Sequence, residues 1–221
     1  MKNLIWKLYH YKQIGSIFHS LTATLRKELE GCDSVLDLGC GPSSPIQFCK
    51  VKYSVGVETY IPYIKESKKS HIHSTYINKE ISQLNFKTKS FDAVIMIDVL
   101  EHLKKEEGND LLKKIEKWAR KKIIINTPNG FLPAFDTTNH YQTHISGWNI
   151  EEMKKKGYEA YGMAGLKFLR KKEAPDNVNH ECFVTMRFKP RSLWFLITGF
   201  TQFIVYHFPQ FAFEVMYVKK V

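Results

Sequence analysis

The run Val35-Leu36-Asp37-Leu38-Gly39-Cys40-Gly41-Pro42-Ser43-Ser44-Pro45 constrains this chain more than any other stretch. Its apolar start lacks the strict alternation of a half-exposed strand and suits a strand buried on both faces. It ends in Gly-x-Gly, where two residues without a Cβ let the backbone turn sharply and let a ligand come close. A helix is expected next, from about Ser44 to Lys50. Strand, glycine turn and helix in that order make the first crossover of a nucleotide-binding α/β domain.

The turn also says what it does not bind. A dinucleotide fingerprint has a third small residue, Gly or Ala, which brings a helix N-terminus up to a pyrophosphate. Here Ser44 stands at that place, within Pro42-Ser43-Ser44-Pro45. A dehydrogenase is disfavoured on this ground. The pentapeptide Asp37-Leu38-Gly39-Cys40-Gly41 resembles motif I of the class I S-adenosylmethionine-dependent methyltransferases. The resemblance implies that Gly39, Cys40 and Gly41 border the methionine part of the cofactor and that Asp37 lies near its ammonium.

A second strand, Tyr53 to Glu58, ends in a carboxylate. An α/β nucleotide site places its ribose-binding acid about twenty residues beyond the glycine turn, and Glu58 fits that position. A third strand around His73 to Ile77 leads into Glu80 and Ile81, which the resemblance implies lie beside the adenine. Phe91 to Asp98 reads as a central strand, with Asp98 on the ligand side of the sheet and a helix running on to about Ala119. The wording Phe91-Asp92-Ala93-Val94-Ile95-Met96-Ile97-Asp98-Val99-Leu100-Glu101-His102-Leu103 resembles the fourth motif of small-molecule and ubiquinone-pathway methyltransferases, of the type 11 kind.

A fifth strand, Lys122 to Asn126, precedes a long connection from Asn129 to Trp148 that carries His140 and His144. Long loops in compact domains are usually functional. His140 and His144 are candidate general bases, because an imidazole titrates near neutral pH. Asp98-x-x-Glu101-His102 with the later His144 is similar to the metal set of some small-RNA 2′-O-methyltransferases. That similarity implies a divalent cation on Asp98, Glu101, His102 and His144. The competing reading is a metal-free pocket in which Glu101 and His102 open a helix and His144 closes a loop onto Trp148.

The expected architecture is a Rossmann-like three-layer sandwich with a mostly parallel seven-stranded sheet. Residues 31–189 form the methyltransferase domain, and residues 1–30 an N-terminal helical cap. Strands Tyr158 to Met163 and Glu181 to Phe188 form a closing hairpin, with the last strand antiparallel. Residues 190–221 follow as a hydrophobic helical tail, in which residues 192–213 suit contact with an anionic membrane surface. A helix buried against the domain or a second subunit, and a true bilayer span, are the other readings of that tail.

With 33 Lys and Arg against 22 Asp and Glu, the formal net charge is +11. Such a field favours anionic partners. Nucleic acid is not favoured, since no basic and aromatic stripe of a named RNA module is present. Four cysteines without a paired framework suggest a reducing, cytoplasmic setting, at the inner face of the membrane if the tail docks there. The resemblance implies methyl transfer, with O-methylation of a small-molecule, glycan or lipid-linked acceptor preferred. The Ile145-Ser146-Gly147-Trp148 stretch is similar to enzymes of surface-glycan pathways. An RNA 2′-O-methyltransferase and a non-catalytic cofactor-binding scaffold are the alternatives.

Overall fold

Seven strands form one sheet in the order β3-β2-β1-β4-β5-β9-β6 in a computed structural model that describes residues 17–134, 139–173 and 183–221. The strands are β1 (Ser34–Leu38), β2 (Tyr53–Val57), β3 (Thr75–Ile77), β4 (Phe91–Ile97), β5 (Ala119–Pro128), β6 (Glu159–Leu166) and β9 (Ala212–Lys220). The first five run parallel, and β9 is antiparallel to both of its neighbours, β5 and β6. Helices α1 (Leu21–Glu28), α2 (Ile61–Lys69), α3 (Lys105–Trp118), α4 (Ile150–Lys155) and α5 (Arg191–His207) flank the sheet. The mostly parallel seven-stranded sandwich is as the sequence implies.

Two cores explain why the central strands are apolar throughout. On one face Leu36, Leu38, Val94 and Met96 pack with Leu111, Leu112 and Ile115 of α3. On the other, Val35, Ala93 and Ile95 pack with Leu25, Leu29, Met216 and Tyr206. Alternate residues of β1 and β4 therefore serve opposite cores, so neither strand has a polar face.

Four expectations need correction. The helix after the glycine turn is only a 3-10 turn, Pro45–Phe48. Prolines at 42 and 45 have no amide to donate, and the Ser44 hydroxyl donates to Asp37 rather than standing free. After Asp98 the chain makes a 3-10 turn, Leu100–His102, before α3 starts at Lys105. The N-terminal helix is interrupted: His19 has φ 50°, and Ser20 caps a separate helix by accepting from the Ala23 amide. Residues 1–16 lie outside the described residues.

The largest correction concerns the end of the chain. The expected partner of β6, around Phe183 to Met186 (β8), pairs instead with Arg170–Glu173 (β7) in a separate two-stranded ribbon. The antiparallel strand is β9, drawn from the segment expected to be a helical tail. Val215, Met216, Tyr217 and Val218 are buried there between β5 and β6. Residues after 189 are thus a helix and an inner strand of the same sheet, and no boundary at 189 separates them from it. Among the described residues, no helix is long and apolar enough to cross a membrane.

Candidate active site

The carboxyl ends of β1, β2 and β4 converge on the glycine turn. Gly39 and Gly41 both hold positive φ, +67° and +57°, the left-handed region where a side chain is strained. Their surroundings differ. A Cβ on Gly39 would stand 2.5 Å from Val99 Cγ2, whereas one on Gly41 would meet nothing within 4 Å. Gly39 is therefore glycine for packing, and Gly41 leaves space above the turn that a ligand can fill. Cys40 is buried, and its amide donates to the Val57 carbonyl at 2.9 Å, locking the turn to β2.

Glu58 completes this half of the site. Its Oε2 accepts from the Gly41 amide at 3.1 Å, and its Oε1 accepts from the amides of Thr59 and Tyr60, both at 2.8 Å. The acid is thus oriented by three backbone donors at the carboxyl end of β2. Asn78, which the sequence reading passed over, donates to the carbonyls of Glu58 and Thr59 at 2.8 and 2.9 Å and pins β3 to β2. Glu80 is exposed and Ile81 half-buried at the following turn.

Asp37 is held from within the protein. It is buried beneath the turn, where it accepts from Ser44 Oγ at 2.5 Å and faces His73 Nε2 at 3.4 Å. Burial raises its pKa to about 7, the Ser44 hydrogen bond opposing and the Glu58 charge adding to the effect. Burial also lowers His73 to about 4. In this structure Asp37 holds the turn from below and does not open to the cleft.

The second half of the site lies beyond β4 and β5. Asp98 has φ 55° and is open to the cleft. Its Oδ1 accepts from Asn126 Nδ2 at 2.9 Å, and the same amide donates to Glu214 at 3.0 Å. Enclosure in the cleft, then the carboxylates of Glu214 and Glu101, raises the Asp98 pKa. Glu214 comes from β9, diagonally across from Asn126, and no motif in the sequence marks it. Asn126 was visible as a polar residue ending an apolar strand.

Glu101 is buried, accepts from Thr127 Oγ1 at 2.9 Å, and has its other oxygen, Oε1, without a hydrogen-bond partner. Burial pushes its pKa up to about 8. His102 and His144 stand beside it with ring centroids 4.7 Å apart. His102 Nδ1 donates to the Thr143 carbonyl at 3.1 Å, and His144 Nδ1 to the Leu132 carbonyl at 2.6 Å. A carbonyl can only accept, so both rings carry their proton on Nδ1 and leave Nε2 as a lone pair. Burial lowers His102 to about 4 and lowers His144 as well, which keeps both rings neutral at pH 7.

Among the described residues, ligand atoms of Glu101, His102 and His144 lie within 4.8 Å of one another. A buried acid with an unpaired oxygen and two Nδ1-tethered imidazoles fit a divalent cation. Asp98 falls outside this group, engaged with Asn126, so it drops from the expected metal set. His140 is exposed, its ring against Tyr141, and does not reach the cluster.

The long loop is built to hold His144 in place. The amides of Ile145 and Ser146 donate to the Glu101 carbonyl at 2.8 and 3.0 Å, and Ser146 Oγ donates to the Leu100 carbonyl. Trp148, fully buried, donates through Nε1 to the same carbonyl at 3.2 Å. A Cβ on Gly147 would stand 2.5 Å from the Phe131 amide nitrogen, so the two arms of the loop touch backbone to backbone. The clasp binds the loop to the Leu100–His102 turn.

Residues 36–124 match a methyltransferase domain family. No curated protein matches the chain in sequence. A SAM-dependent methyltransferase from Archaeoglobus fulgidus superposes with a TM-score of 0.54 at 17% identity, covering 95% of this chain and 98% of its own. An S-adenosylmethionine-dependent methyltransferase from Mesorhizobium loti gives 0.54 at 11%, covering 97% and 100%. The methyltransferase domain of bacterial CtHen1 gives 0.53 at 14%, covering 93% and 100%. At such identities the likeness is one of fold. The family model covers residues 36–124, and these neighbours share the fold of S-adenosylmethionine-dependent methyltransferases.

Proposed function

We propose that the protein is an S-adenosylmethionine-dependent O-methyltransferase acting on a small-molecule, glycan or lipid-linked hydroxyl. The observation that carries this reading is the pair of neutral imidazoles, His102 and His144, each tethered through Nδ1 to a backbone carbonyl and gathered with Glu101 beyond β4. When bound, the cofactor supplies an electrophilic sulfonium methyl. The chain's own part is to orient the acceptor and take its proton. Gly41 leaves room for the methionine portion, and Glu58 accepts from the ribose hydroxyls. His144 Nε2 accepts the acceptor's proton, while the Leu132 carbonyl stabilises the imidazolium that forms. Asp98 and Glu214, joined by Asn126, add negative charge to the cleft wall.

Glu101, His102 and His144 also suit a divalent cation, which would lower the pKa of a coordinated hydroxyl. That arrangement favours a second reading, an RNA 2′-O-methyltransferase, because it keeps three of the four residues of the small-RNA metal set. Methyl transfer from labelled cofactor to lipid extract and to RNA separates the two. Label in lipid-extractable or glycan material supports the first, and label in RNA alone replaces it with the second. His144→Asn is expected to lose turnover at least about a hundredfold, in the range of one positioned acid–base group, while binding the cofactor normally. Full activity in excess chelator with no metal by elemental analysis removes the cation.

A further inference from the structure

Helix α5 is built inside out. Its buried positions include Thr198 and Gln202, 4% and 3% exposed. Leu193, Leu196, Phe200, Phe203 and Ile204 are each 48–66% exposed, and Phe195, near the start of the helix on its other side, is 51% exposed as well. Helix spacing places the first five on one stripe.

The polar inner face has a reason. A bulge in β6, with positive φ at Ala164 and Gly165, takes the amides of Gly165 and Leu166 out of the sheet ladder. Gln202 Oε1 accepts from Gly165 at 3.0 Å and Thr201 Oγ1 accepts from Leu166 at 3.0 Å. Gln202 Nε2 donates to the carbonyls of Gly162 and His19. On the outer face Phe18 meets Phe200 edge-on and His19 stacks on Phe203, yet these two rings remain 66% and 52% exposed and Leu193, Leu196 and Ile204 about half exposed.

We propose that this face lies in the interfacial layer of an anionic lipid bilayer. From Ser192 to Phe213 the sequence contains no Asp, Glu, Lys or Arg, so nothing along the face opposes burial among lipid chains. Cations gather just before it: Arg187, Lys189 and Arg191, with the Arg187 guanidinium 5.0 Å from the ring of exposed Phe168. A +11 chain with basic groups beside an apolar stripe matches the charge of an anionic leaflet. The same charge opposes a second copy of this chain, since pairing would bring two +11 bodies together. At 17 residues α5 is too short to span, and no helix among the described residues qualifies as a span.

The position of the face ties it to the reaction and, resting on the O-methyltransferase reading, narrows the acceptor. Asn129, at the carboxyl end of β5, donates to the carbonyls of Pro209, Gln210 and Ala212. That fastens the end of α5 to the rim of the cleft, where Phe208, Phe211 and Phe131 are 52–57% exposed. Docking through α5 thus sets the cleft at headgroup level. The acceptor class is an amphiphile whose hydroxyl is presented from the membrane.

Co-sedimentation of the full chain with phosphatidylcholine vesicles, with and without phosphatidylglycerol, tests this, alongside Phe200→Glu/Phe203→Glu. Both substituted positions are more than half exposed, their contacts being with Phe18 and His19, and circular dichroism checks that the fold is retained. Calorimetry with the cofactor checks each protein independently. The wild type is expected to bind the anionic vesicles, more weakly as salt rises. The double variant is expected to bind on the order of a hundredfold more weakly, having lost two inserted rings and gained two repelled charges. Wild type that does not sediment with anionic vesicles, or a double variant that sediments equally, overturns the proposal. So does a wild-type dimer that the double variant converts to monomer without any vesicle binding. Vesicle binding without cofactor binding would instead overturn the enzymatic reading and leave the docking in place.

Discussion

Asp37→Asn is the substitution whose effect can be worked furthest. The wild-type carboxyl is buried under the glycine turn with a pKa of about 7 against an ordinary 3.8. Its folded pKa is raised, so the folded state holds a proton that the unfolded chain releases. The favourable contribution is complete below about pH 4 and is lost as pH climbs to about 7. At about 1.4 kcal/mol per pH unit the loss approaches 4 kcal/mol, complete by pH 8. Asparagine has the same shape and no charge. Its amide oxygen, at the place of Oδ2, can accept from Ser44 Oγ; in the wild type that same carboxylate oxygen faces His73 Nε2 at 3.4 Å. The opposing titration of His73 is present in both proteins and cancels in the difference. Urea unfolding at pH 4.5, 6 and 8 is expected to show the variant ahead by only about 1 kcal/mol at the lowest pH. The variant should lead by about 4 kcal/mol at the highest. A difference that does not change with pH refutes the reasoning. A more stable variant with weaker cofactor binding would show that the acid is kept for the ligand at the expense of the fold.

Other perturbations follow from single contacts. Glu58→Gln exchanges a charged acceptor for an amide at the ribose position and is expected to weaken cofactor binding 10- to 100-fold, in line with ~1.5–3 kcal/mol for charge-assisted hydrogen bonds; unchanged affinity by calorimetry would remove Glu58 from the ribose. Truncation after Lys189 takes β9 out from between β5 and β6, so circular dichroism should report loss of the cooperative fold, and a folded truncated protein would contradict the strand order. Gly147→Ala forces a Cβ against the Phe131 backbone and is expected to cost ~1–3 kcal/mol of stability. It should cut turnover with little change in cofactor affinity, because it shifts the His144 arm and leaves the glycine turn alone.

The first half of the fold was legible because its strands serve two cores at once and therefore read as unbroken apolar runs, as in Val35–Leu38 and Phe91–Ile97. The glycine turn and Glu58 were legible for a related reason: residue type there is dictated by backbone geometry and by a fixed distance along the crossover. The C-terminal half was not. Strand β9 contains Phe213, Met216 and Tyr217, residues as much at home in a helix, and it follows a helix whose hydrophobic stripe points outward. Hydrophobicity alone assigned both to one tail. Glu214 was missed with it, since a carboxylate acquires a place in the site only once β9 is laid beside β5. The cluster of Glu101, His102 and His144 was visible as residue types. What was not visible is the loop clasp that brings His144 in, or the Asn126 amide that draws Asp98 away.

The measurement that bears most directly on the central claim is calorimetric titration of the full chain with S-adenosylmethionine, paired with Gly41→Ala. Substituting Gly39 would disturb Val99 and so blur folding with binding, but a methyl group on Gly41 meets no protein atom within 4 Å. Its left-handed backbone costs only ~1–2 kcal/mol. The account expects one cofactor bound per wild-type chain, no comparable heat from NAD, and a large loss of affinity in a Gly41→Ala variant that remains folded. Wild type that binds no S-adenosylmethionine, or a variant that binds it as tightly as wild type, would contradict the assignment of the glycine turn.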